Sequence, residues 1–206
     1  MTYTEWVVER AQDFDSLRGR RIESWAGVKM ALREDGPDGG PQFADPAVPC
    51  LQLWGMQAHL DDGRTLSVLT YQDDDLFGLW PQRRPDPRLE NRERWDGIYR
   101  WTALNELPTG LVEDVVVFAE EGVLAEVDLR VGGRPLVLVA GELIEDWTRL
   151  VFNRLDESVL VFTDPAAAEV GRDGQDGDRR SDDLERQEET EEDDVVRHVE
   201  TGALEE

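Results

Sequence analysis

The residues best suited to chemistry in this 206-residue chain are carboxylates. Glu142 closes the run LVLVAGE, directly after Gly141 and just past the most apolar stretch of the sequence. A carboxyl at such an edge is partly desolvated, which raises its pKa toward the range useful for proton transfer. Glu145, Asp146, Asp156 and Glu157 follow closely, so a pair of acids could share general acid–base work of the kind used in glycoside hydrolysis. In a chain with 47 acidic and 22 basic residues, however, such clusters also arise from composition alone. A turn cap, or an ion pair with Arg134 or Arg149, is the competing role. Glu142 is the single catalytic candidate, and catalysis ranks below binding.

Other chemistries find less material. The two histidines are His59, in a predicted strand, and His198, in the C-terminal segment, so no imidazole pair has metal-ligand spacing and no metal site is expected. The segment Asp173-Gly-Gln-Asp176-Gly-Asp178 lacks the ligand order and the distal glutamate of a calcium loop. Cys50 is the only cysteine, which rules out an intramolecular disulfide. It shares one predicted strand with His59 at an odd separation, which puts the two on opposite faces and about 30 Å apart. Ser158 has no glycine elbow, and no phosphate-cradling glycine motif occurs, so no cofactor is expected. Among seven tryptophans, Trp95 in ENRERWDG and Trp147 in ELIEDWTR fall in predicted loops. With Glu145 and Asp146 they form the candidate binding set: loop aromatics beside carboxylates suit a protein or carbohydrate contact. The competing role for the tryptophans is a lid over the core.

The elements that must position these groups read as strands. After a predicted helix at 5–14, short apolar segments at 21–32, 50–60, 64–71, 76–80, 111–118, 123–131, 135–140, 149–152 and 158–162 alternate with Gly, Asp and Pro punctuation. Asp62-Gly63 and Gly132-Gly133 take positive φ cheaply and should each close a hairpin. Four consecutive apolar residues, Leu136 to Val139, imply a strand covered on both faces.

The phrase DDGRTLSVLTYQ at 61–72 returns as VGGRPLVLVAGE at 131–142, and the flanking segments follow in the same order. An internal duplication is one explanation; the general likeness of β-hairpins is the other. The fold class expected is mainly β, with two similar antiparallel units arranged as a sandwich or barrel. The divisions are a helical segment 1–14, a first unit 15–80, an Arg/Pro-rich connection 81–106, a second unit 107–164 and an acidic, disordered tail 165–206.

Charge bounds the partners. The tail carries 16 acidic and 5 basic residues, leaving 31 acidic and 17 basic in the first 164, a net of −14, within a total of −25. That field repels nucleic acid and anionic lipid. The one basic stretch, RRPDPRLENRER at 83–94, is interleaved with acids and reads as a solvated linker. The acidic N-terminal stretch is unlike a signal peptide and no apolar run matches a membrane span, so a cytoplasmic protein is expected.

The run GIYRWTALNELPTG, followed by LVLVAGELIEDW and LVFNRLDESVLVFTDPAAAE, resembles a set of uncharacterised bacterial proteins, common in actinobacteria. These share a V-A-G-E hairpin and a D-E-S-V-L-V-F strand. The resemblance covers residues 97–169 and implies architecture, with no activity or site. The function expected is a non-catalytic interaction protein that binds a protein partner, basic in character, with an immunity or antitoxin role as one concrete form. The alternatives are a small-ligand protein with a pocket between the two repeats and a carboxylate-dependent hydrolase.

Overall fold

In the computed structural model, residues 3–146 and 149–169 are described. Trp147 and the expected tail beyond residue 169 lie outside the described residues. The chain opens with helix α1 (Tyr3–Asp15), matching the predicted segment. Its Val7 and Phe14, with Leu17 just beyond, are buried in the main core. Asp13, 3% exposed, pairs with Arg10 at 3.2 Å and with Arg83 at 2.7 Å, which ties the helix to the start of the arginine-rich stretch.

Among the described residues nine strands follow: β1 (Arg21–Met30), β2 (Cys50–Leu60), β3 (Thr65–Asp73), β4 (Leu76–Gln82), β5 (Tyr99–Ala103), β6 (Gly110–Glu120), β7 (Val123–Val131), β8 (Arg134–Asp146) and β9 (Arg149–Phe162). All their pairings are antiparallel. The ladders run β1–β2–β9–β8–β7–β6 and return to β1 through a short bridge, Arg21–Leu111 and Ile22–Gly110, closing a barrel-like circuit. On β2, residues 56–59 pair with β3 while residues 50–53 pair with β9, so the β3–β4 hairpin and β9 share one strand edge. The mainly β, antiparallel architecture with one N-terminal helix is the one the sequence predicts. Both halves contain a four-stranded meander, but strand order by itself does not establish a duplication.

Glycine turns set the registers. Gly132 and Gly133 have φ of 56° and 75° and join β7 to β8 in a two-residue loop between Val131 and Arg134. A Cβ on Gly132 would stand 2.4 Å from the Thr109 carbonyl oxygen, so this turn has room for nothing larger. From Leu136 to Val139 every side chain is buried: Leu136 and Leu138 enter the main core, Val137 and Val139 a second cluster on the opposite face. Ala168 covers that second face, within residues 165–169, which are helical. The folded body therefore runs five residues past the expected start of the tail.

Three segments differ from expectation, the first being β5, a strand where none is predicted. The predicted strands at 149–152 and 158–162 are one strand, β9, interrupted by a bulge. Ala140 pairs with Val159 but Gly141 pairs with Arg154, so 155–158 leave the ladder. Leu155 accepts φ of 59° there, unusual for a branched residue, and is 3% exposed in a small cluster with Val123 and Ala125. The stretch at 83–94 is folded rather than a solvated linker. Asp86 caps the short helix α2 (Pro87–Glu90) through the Arg88 N–H, and Leu89 is buried with Val28 and Leu69.

Candidate functional site

Glu142 lies on β8 immediately after the bulge, where Gly141 forces a close approach. A Cβ on Gly141 would meet the Asn153 carbonyl oxygen at 2.8 Å. Inside the bulge the Ser158 hydroxyl donates to the Gly141 carbonyl at 2.6 Å, fully buried, which makes Ser158 a fastener rather than a nucleophile. Asp156 accepts from the Asn153 side chain and, at 2.7 Å, from the Glu157 N–H. Asn153 is the register partner of Glu142, so the bulge turns the acids of β9 back toward β8.

The consequence is electrostatic. Burial, then the charges of Asp156 and Glu157, push the Glu142 carboxyl from its ordinary value near 4.5 up to about 7. The Glu157 charge also reaches Tyr99 on β5. Burial first, and then Glu157, Glu142 and Glu34, raise its hydroxyl pKa. Four groups distant in sequence thus share one neighbourhood.

That neighbourhood opens into a cleft of about 310 Å³ between the end of β1 with its following loop, the start of β2, Ile98 and the outer part of β8. Glu34, Asp35, Glu142 and Glu145 line it, with Gln52 at the wall. Arg33 also lines it, but its guanidinium is held by Asp45 at 2.8 Å and Glu145 at 3.0 Å. Gln52, 4% exposed, accepts a 2.7 Å hydrogen bond from the Leu143 N–H and fixes the β8 backbone beside Glu142.

Of the binding residues expected from sequence, Glu145 lines this cleft and is committed to Arg33. The Asp146 backbone pairs with Arg149 at the end of the β8–β9 ladder. Trp95 is half-buried: it packs on Trp54 at 4.7 Å and on Tyr99 at 5.6 Å, and its indole N–H donates to the Arg88 carbonyl at 3.0 Å. It serves as the lid over the small Val28–Leu69–Leu89 cluster and adjoins the acidic group through Tyr99. Sequence reasoning missed Glu34, Tyr99 and Gln52, which carry no motif and meet only through the β1–β2 and β1–β5 pairings.

Cys50 and His59 sit at opposite ends of β2, as expected. Burial raises the Cys50 thiol to about 12, so it is inert at neutral pH. Among the described residues, no group of three His, Cys, Asp or Glu side chains could hold a metal ion, and no helix is long and apolar enough to cross a membrane. Compared with known proteins, the chain matches no family model, no curated protein and no solved structure. No residue's role is therefore transferred from another protein, and the geometry of the cleft carries the functional reading.

Proposed function

We propose that this protein is a non-catalytic, acidic interaction module of the cytoplasm that binds a basic protein partner through the cleft beside Glu142. The observation that carries the reading is a cleft lined by Glu34, Asp35, Glu142 and Glu145 whose one cation among the described residues, Arg33, is already neutralised, with Glu157 and Tyr99 within electrostatic reach. Like charges held together raise the free energy of the unbound state, and a cationic partner relieves that repulsion. An inhibitor of a basic toxin is one biological form this takes. The test is titration of an arginine-rich peptide into the full chain and into a chain ending at Glu169. Binding by both that weakens with moderate salt supports the reading; binding by the full chain alone makes the segment beyond Glu169 the functional element instead.

A catalytic reading comes second, because a carboxyl near 7 beside Asp156 is suited to general acid–base work. Its test is Glu142→Gln assayed against a panel of glycosides: a hydrolytic activity abolished in a folded variant would favour it over the binding module.

A further inference from the structure

The cleft contains a hydrogen-bond donor that takes no acceptor among the described residues. Gln52 is 4% exposed, and its Oε1 takes the Leu143 N–H, which orients the side-chain amide. Its Nε2 donates to no described residue and belongs to a side chain that lines the cleft. An amide N–H at a polar wall, reached by solvent, can exchange water for an acceptor that a ligand brings. Glu34 and Glu142 line the same cleft, and neither is in an ion pair among the described residues; Tyr99, whose register partner Met30 also lines it, lies within electrostatic reach of both and of Glu157. Carboxylates beside an aromatic face recognise an organic cation, and the free amide recognises a carbonyl. One residue type offers both at the right scale.

We infer that the cleft takes a single arginine residue of a peptide, its guanidinium against Glu34 and Glu142 on the side toward Tyr99 and its own backbone carbonyl on Gln52 Nε2. The inference rests on the proposed function and names the partner's recognised group. Arginine fits better than lysine because a guanidinium stacks on a ring and spreads its donors over several carboxylates. The fold already uses such stacking: Arg92 lies 3.8 Å from the centre of the Trp101 ring and Arg100 lies 4.0 Å from that of Phe43.

The experiment titrates the full chain, followed by tryptophan fluorescence, with acetyl-Gly-Gly-Arg-Gly-Gly-amide, with the same peptide carrying citrulline, and with methylguanidinium, which has no carbonyl. The arginine peptide should bind at least about tenfold more tightly than either comparison ligand. Glu142→Gln should weaken the arginine peptide and methylguanidinium alike by about tenfold. Gln52→Glu keeps the acceptor for Leu143 but loses the donor, so it should erase the peptide's advantage over methylguanidinium while leaving methylguanidinium bound. Tyr99→Leu, which keeps an apolar group at a part-buried position, should weaken both cations. Equal affinity for the citrulline peptide, or an undiminished peptide advantage in Gln52→Glu, overturns the inference. If the single-arginine peptide fails while an arginine-rich peptide still binds the full chain, the inference falls and the proposed function stands. If neither binds, both fall.

Discussion

At the scale of the residue, Glu142 is where sequence and structure meet most closely. Its place after Val-Ala-Gly suggested a desolvated carboxyl, and burial with Asp156 and Glu157 nearby gives that result. The remaining site residues were illegible for a physical reason: Glu34 lies in a loop, Tyr99 on a short edge strand and Gln52 within a buried one, and only tertiary pairing assembles them. A pH dependence follows. Because the folded-state pKa of this acid is raised, the folded chain holds the proton more tightly than the unfolded chain between about 4.5 and about 7. Glu142 therefore lowers stability progressively as pH rises through that window. Glu142→Gln should melt at the same temperature as the parent near about pH 4 and at a higher one near about pH 8. An unchanged difference across that range would mean that Glu142 is not held in its protonated form by the fold.

At the scale of the element, turns and apolar runs were readable because their constraints are local. Positive φ at Gly63, Gly132 and Gly133, and burial on both faces from Leu136 to Val139, follow from residue type. The bulge in β9 was not readable. The polar triplet Asp156-Glu157-Ser158 looks like a break between strands, and only the cross-strand pairing shows that the ladder resumes at Val159. Strand β5 was overlooked because it is five residues long and only part-buried. The bulge positions Glu142, so Gly141 should tolerate little. Gly141→Ala is expected to cost about 1–3 kcal/mol in denaturant unfolding, through the contact with the Asn153 carbonyl. Gly132→Ala should cost more than about 1 kcal/mol, since it combines positive φ with a collision at Thr109. Wild-type stability in either variant would show that the ladder shifts to make room.

At the scale of the whole molecule, composition gave the sign of the electrostatic field but not its focus. Glu145 and many other surface acids are spent on arginines, whereas Glu34 and Glu142 in the cleft meet no arginine among the described residues, and that contrast exists only in three dimensions. The folded body also continues past Pro165. Low-complexity composition begins at Pro165, yet Ala168 still covers Val137, Val139 and Phe162. A chain ending at residue 164 should melt at a lower temperature than one ending at 169, with equal melting points counting against that cover.

The central claim is that the cleft, rather than diffuse negative charge, receives a basic partner. Hydrogen exchange of the full chain with and without an arginine-rich peptide tests it most directly. The account predicts added protection at residues 30–35, 98–99 and 141–145, lost in Glu142→Gln. Protection confined to residues 170–206, or spread evenly over the acidic surface and unaltered by the substitution, would contradict it.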